Sequence, residues 1–359
     1  MAGYKATPLL EIHRSLGAKL IDFAGWDMPL QYSGVIAEHN AVRSSCGLFD
    51  VTHLGKLSVS GPTAGEALQV ALTADVEGLA PGRATYSLVL TEDGGCIDDV
   101  FVYRIARDEW LVVPNAANVE PVAAAIADAG GEVVDAWDRY AILALQGPDS
   151  FAVFDRVFPG TDAAAMKLYS FGTIELAGSR ALVARTGYTG ERGFEIYVAF
   201  DAAEKVFTAL LDGGAAPVGL GARDTLRLEM GYALYGHEIS LDINPLEAGL
   251  GWALSWETPF RGRDALAAIK AARPRRKLFG VRCRDRGVPR QGYHVSHDGI
   301  PVGDVTSGNH SPTLGTGIAL VLGPRDTVPD PGAIVAIEAR GRAIAGDIVK
   351  PPFVGKGRG

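Results

Sequence analysis

The sequence predicts an α+β protein that ends in a small all-β module, and three observations carry that reading. Strand hairpins and helices are mixed without the regular strand–helix alternation of a doubly wound sheet. A basic, proline-marked stretch at residues 270–278 changes the character of the chain. Beyond it come only short β-like runs, such as Leu278-Phe279-Gly280-Val281 and Ala333-Ile334-Val335-Ala336-Ile337. They span roughly 80 residues, as a barrel or sandwich would. At 359 residues the chain is too long for one ordinary core, so two or three domains are expected, divided between residues 1–270 and 275–359.

Taken in order, residues 37–47 read as a helix closed by Gly47, and Pro62 starts a second helix reaching about Thr73. Strands follow near 84–90, 97–106 and 109–114, with Asp93-Gly94 supplying a tight turn between the first two. Pro121 opens an alanine-rich helix that stops at Gly130-Gly131. Strands near 181–186 and 194–200 flank the loop from Thr186 to Gly193, and helices are expected near 202–212 and 222–231. Turns are expected at 298–299 and 307–309 in the terminal module.

Composition narrows the function. Apolar content of 47% and charged content of 21% are those of a soluble globular protein. No run of some 18 apolar residues occurs, so no membrane span is expected, and no apolar signal core follows Met1-Ala2-Gly3-Tyr4-Lys5. Cys46, Cys96 and Cys283 are odd in number and widely spaced, which suits a reducing cytoplasm. A net charge of −8 argues against a nucleic-acid groove. Arg273, Arg275, Arg276, Lys277, Arg282, Arg284, Arg286 and Arg290 form a local exception, read as a solvated linker or as a docking point for an acidic partner. No G-x-G-x-x-G follows a strand, no P-loop is present and no G-x-S-x-G elbow occurs. His294 and His297 beside Asp298 read as surface histidines rather than metal ligands, so no metal is expected.

Three polar groups remain. Asp98-Asp99 opens the strand at 97–106, where alternation puts Asp99 with Ile97, Phe101 and Tyr103 and puts Asp98 with Val100 and Val102. Whichever face looks inward, one acid enters apolar surroundings, where an unpaired carboxylate raises its pKa. A turn acid capping its own backbone is the plainer alternative. Tyr86 on the preceding strand is close enough to share a pocket with Asp99. Tyr188 and Glu195 form the second group. Glu195 and Tyr197 lie opposite Phe194, Ile196 and Val198, so either an exposed sheet face or a strand-borne carboxylate for the two-donor edge of a pterin fits. In the third, Asp224 and Arg227 read as a local i,i+3 pair. Arg223 is left to reach a ligand or to orient Glu195. Together they suit a planar, polar heterocycle with acidic groups.

Here the sequence closely resembles the glycine cleavage T-protein family of folate-dependent aminomethyltransferases, nearly end to end. The resemblance rests on Asp22-Phe23-Ala24-Gly25-Trp26-Asp27-Met28-Pro29-Leu30, Gly47-Leu48-Phe49-Asp50-Val51-Thr52-His53 and Gly94-Gly95-Cys96-Ile97-Asp98-Asp99. It continues through Gln146-Gly147-Pro148, Thr186-Gly187-Tyr188-Thr189-Gly190-Glu191, the run Gly219 to Glu229, Leu234-Tyr235-Gly236-His237-Glu238 and Ser311-Pro312-Thr313-Leu314-Gly315. Thr52 and Leu54 stand where the family often has Ser and Met, and the tail Gly355 to Gly359 lacks an aromatic residue that some members place there.

The resemblance implies a three-domain cloverleaf, with two interleaved α+β domains to about residue 270, then a C-terminal β-barrel, and folate in the central hole. The family's functional positions fall on Tyr86, Asp99, Tyr188, Glu195 and Arg223, with Asp99 rather than Asp98 as its acid. The implied reaction passes a one-carbon unit from the lipoylated H-protein to tetrahydrofolate with release of ammonia. Asp99 would act at the folate nitrogens, Glu195 would fix the pterin edge, and Tyr86 and Tyr188 would line the ring pocket. A folate-dependent demethylase of small methylated substrates, on the same fold, is the nearest rival. A folate-binding module for iron–sulfur assembly is a more distant one, since Val281-Arg282-Cys283-Arg284 does not match its cysteine motif.

Overall fold

A computed structural model describes residues 5–355. Met1-Ala2-Gly3-Tyr4 and Lys356-Gly357-Arg358-Gly359 therefore lie outside the described residues. Three mixed or antiparallel sheets and a closed barrel account for the strands. Near the N-terminus, Lys19–Phe23 and Trp26–Gln31 form a hairpin. Its two-residue turn, Ala24-Gly25, has φ of 51° and 81°, the left-handed pair that suits the twist of a tight hairpin.

The next two sheets are interleaved along the chain. Gly47–Asp50 pairs with Tyr140–Gln146 on one side and Ala216–Val218 on the other, inside a six-stranded sheet that also holds Phe171–Leu176, Ser179–Ala184 and Gly193–Ala199. Between its first and second strands the chain leaves to build a five-stranded sheet, in the order Arg83–Leu90, Cys96–Ala106, Glu109–Val113, Leu57–Ser60 and Glu132–Asp135. Each sheet buries its outer face under helices. Val153, Phe154, Phe207 and Leu210 of helices Ser150–Val157 and Ala203–Asp212 pack against Leu143, Phe194 and Ile196 of the first. Leu68 and Ile126, on helices Ala64–Ala71 and Val119–Asp128, pack against Val59, Val100 and Val102 of the second. The inner faces meet in a third cluster that joins Phe49, Ile142 and Tyr197 to Tyr103, Leu111 and Val113, with Leu226 of helix Leu220–Glu229. That facing arrangement puts strand-borne polar groups of both sheets into one space.

The barrel is closed by Arg276–Cys283, Thr316–Pro324, Ile300–Ser311, His294–His297, Ile334–Ala339 and Arg342–Val349. Its inward residues, including Val281, Val295, Val321, Ile337 and Ile348, are almost wholly buried. Among the described residues no helix is long and apolar enough to cross a membrane. The basic stretch is partly engaged within the chain, with Arg276 held by Glu247 at 2.7 Å and Arg284 by Asp347 at 2.6 Å.

Three local expectations are corrected. The helix expected at 37–47 is Val35–Ser44, and Gly47 opens a strand instead of closing the helix. A Cβ at Gly47 would lie 2.4 Å from Val42 and 2.7 Å from Val218, so the glycine is there for close packing. Residues 307–309 continue the strand Ile300–Ser311, with a register shift between Val305 and Ser307. Gly308 passes so near the Pro289 carbonyl that a Cβ would sit at 2.7 Å. Ile97 does not share the face of Asp99. The register slips where Leu90 pairs with Cys96 and Val89 with Asp98, and Ile97 packs with Val100 and Val102. A bulge inserts one residue and so inverts the alternation on its far side.

Candidate functional site

Asp98 and Asp99 diverge as consecutive strand residues must. Asp98 is fully buried and accepts hydrogen bonds from the Asn115 backbone N–H at 2.8 Å, Asn115 Nδ2 at 2.7 Å and Asn118 Nδ2 at 2.8 Å. Asp99 turns to the inner side, partly buried, where it accepts from Tyr86 Oη at 3.2 Å and Asn115 Nδ2 at 3.0 Å. Burial pushes the Asp99 carboxyl up to about 6, against the lowering effect of the Asn115 and Tyr86 hydrogen bonds. Asp98 is also raised, first by burial and then by the charge of Asp99. Asp99 does bond its own backbone N–H, as a self-capping acid would, but it also accepts from side chains on two neighbouring segments.

Glu195 lies mid-strand between Ala144 and Ala184, small neighbours that leave room for it. It is 8% exposed, which removes the reading of an exposed sheet face. Oε2 accepts from Thr186 Oγ1 at 2.5 Å and Tyr103 Oη at 3.4 Å, and Tyr197 Oη in turn donates to Tyr103 Oη at 3.0 Å. These hydroxyls orient the carboxylate and leave Oε1 to the cavity. Arg223 places its guanidinium over the Tyr188 ring at 4.8 Å from the centroid, and its buried Nη1 has no hydrogen-bond partner. No ion pair joins Arg223 to Glu195 among the described residues. Its orphaned donor is free for a ligand instead. Arg227, one turn on, is spent within the protein on Asp224 at 2.8 Å and Glu238 at 3.1 Å. Tyr188 gives its hydroxyl to the Ala233 carbonyl and stacks on Tyr232 at 5.7 Å.

Tyr86, Asp99, Tyr188, Glu195 and Arg223 all line one cavity of about 880 Å³, which also reaches Arg290 and Asn309 of the terminal part. That volume suits a large organic ligand. Two residues that contact the site's side chains were not singled out from the sequence. Asn115 bridges both acids, from the end of a neighbouring strand. Trp252 is 69% exposed and stacks on Tyr86 at 5.3 Å between ring centroids. Nothing local in the sequence marks either.

Residues 9–258 match the family described as the GCVT N-terminal domain, and residues 276–355 match the glycine cleavage T-protein C-terminal barrel domain. An aminomethyltransferase of Halothermothrix orenii is 46% identical over 358 residues, covering 98% of this chain and 100% of that one. One from Mycobacterium leprae is 45% identical over 355 residues, with 97% and 96% covered. The crystal structure of the glycine cleavage system aminomethyltransferase T from Bartonella henselae superimposes with a TM-score of 0.92 at 34% identity, covering 99% of each chain. This chain belongs to the aminomethyltransferase family of glycine cleavage T-proteins.

Proposed function

We propose that the chain moves a one-carbon unit from the aminomethyl-lipoyl arm of an H-protein to tetrahydrofolate. The carbon loses its bonds to sulfur and to nitrogen and gains bonds to folate N5 and N10. The two protons displaced from those nitrogens end on the lipoyl sulfur and on the departing ammonia, so the products are 5,10-methylenetetrahydrofolate, dihydrolipoyl H-protein and ammonia.

The cavity's residues suit that chemistry. Glu195 presents a carboxylate oxygen to the two-donor edge of the pterin, and its hydroxyl partners hold it in place beforehand. Arg223 offers an unpaired donor to a carbonyl or carboxylate. Tyr86 and Tyr188 supply aromatic walls. Asp99 takes up a proton from the attacking nitrogen and offsets positive charge as the carbon becomes iminium-like, a role typically worth 10²–10⁴-fold. Placing both reactants in line within one enclosed space lowers the barrier further. The observation that carries the reading is the Asp99 carboxyl, raised in pKa and hydrogen-bonded to Tyr86, on the same cavity wall as Glu195 and Arg223.

No metal takes part in this reading. Cytoplasmic residence is supported by three buried, unpaired cysteines. A division into residues 1–270 and 275–359 is supported by the barrel's first strand, which begins at Arg276. Mixing the protein with tetrahydrofolate and aminomethylated H-protein is expected to release ammonia. Turnover only with small methylated amines or sulfides would instead select the demethylase.

A further inference from the structure

Beside the central cavity lies a smaller cleft of about 220 Å³, and His53 and Leu54 line both. Glu120 and Asp135 in the cleft are exposed, so it opens to solvent on their side. Lys5 Nζ sits there 5.6 Å from the Trp26 ring and 5.4 Å from the Trp137 ring. The two indoles thus already hold one primary ammonium group against their faces. His53 is only 4% exposed, and its buried Nδ1 has no hydrogen-bond partner. Burial first, and then the Arg223 charge, push its pKa down to about 3, so the ring is neutral. A neutral imidazole donates at one nitrogen and accepts at the other, which matches a small molecule that does both.

The proposed reaction makes a small third product between two large ones. In that reaction the carbon–nitrogen bond breaks while tetrahydrofolate and the lipoyl arm are both bound, so ammonia formed between them needs a path past them. We propose that the small cleft is the exit for this ammonia, which passes His53 as NH₃ and leaves the acidic, indole-lined outer part as ammonium. This inference rests on the aminomethyl-transfer reading. Its only bond changes are at the cleft mouth, where ammonia's lone pair takes a proton from solvent water. One N–H bond forms, one O–H bond breaks, and the hydroxide left behind is neutralised by the buffer.

Microscopic reversibility supplies the test, since the reverse reaction draws ammonia in by the path it leaves. The substrates are 5,10-methylenetetrahydrofolate, dihydrolipoyl H-protein and ammonium chloride at fixed pH. Ala117→Trp, at an exposed cleft position, narrows the opening, and the double variant Glu120→Gln with Asp135→Asn removes its acids. Each is expected to raise the KM for ammonium at least about fivefold while the KM for the folate stays within about twofold. An unchanged ammonium KM in both variants overturns the exit, and so does a parallel rise in the folate KM, which reports a deformed central cavity. Wild-type protein that never turns over aminomethylated H-protein overturns the functional reading beneath it instead.

Discussion

Asn115 Nδ2 donates to Asp98 at 2.7 Å and to Asp99 at 3.0 Å, so one amide holds two carboxyl groups that point to opposite faces of their strand. It ties the acid facing the cavity to the acid in the core.

Asn115→Ala removes a hydrogen bond that lowers the Asp99 pKa, so the acid limb of kcat/KM is expected to move to higher pH. It also leaves Asp98 short of partners, with an expected stability loss of about 1–3 kcal/mol. A pH–rate profile and a urea titration of the same variant read the two effects separately.

Asp99→Asn is expected to keep the fold and hold folate affinity within about tenfold while turnover falls at least about a hundredfold. Because the carboxylate is the active form, wild-type kcat/KM should rise with pH through about 6. That limb should vanish in the variant. A coupled methylene-folate assay that shows unchanged turnover removes Asp99 from the chemistry.

Glu195→Gln keeps the shape but replaces a charged acceptor with a neutral amide. The KM for tetrahydrofolate is expected to rise about tenfold or more, as loss of a charge-assisted pair predicts, with a smaller change in kcat. Steady-state kinetics across folate concentrations make the split visible, and an effect on kcat alone would assign Glu195 to the chemistry.

Glu229 tests the assembly around the cavity rather than its reaction. It accepts from Ser311 at 2.5 Å and Thr313 Oγ1 at 2.9 Å, and pairs with Arg43 at 2.9 Å and His39 at 3.3 Å, joining two helices to the barrel. Burial alone would raise its pKa, but these hydrogen bonds and charges hold it down to about 2. A depressed carboxylate contributes stability above its unfolded value of 4.5 that is lost as pH falls from there toward 2. Glu229→Ala is expected to cost about 3 kcal/mol at neutral pH. Urea midpoints measured at pH 7 and pH 4 should converge between wild type and variant on the acid side.

Much of this was legible where the governing contacts are local. Asp93-Gly94 marks the reversal between Arg83–Leu90 and Cys96–Ala106, and Gly94 adopts φ of 85°. Simple alternation placed Asp99 with Phe101 and Tyr103 correctly. It failed two residues earlier, at Ile97, because a bulge is a property of two strands and not of one. Pro121 falls in the first turn of the helix Val119–Asp128, which starts two residues before it, and Gly130-Gly131 lies just past the helix end. Gly47 and Gly308 misled because a glycine that admits a neighbouring chain reads like one that permits a turn. Asn115 and Trp252 were beyond reach, since their partners are brought to them by the packing of separate segments.

The strand Gly47–Asp50 waits on partners made much later, Tyr140–Gln146 and Ala216–Val218. A nascent chain must therefore carry an unpaired β segment through synthesis of everything between, including a whole second sheet, before its first sheet can finish. Fragments that stop short of Val218 would leave that edge open to other chains, so partial expression should yield aggregates and not a smaller working enzyme.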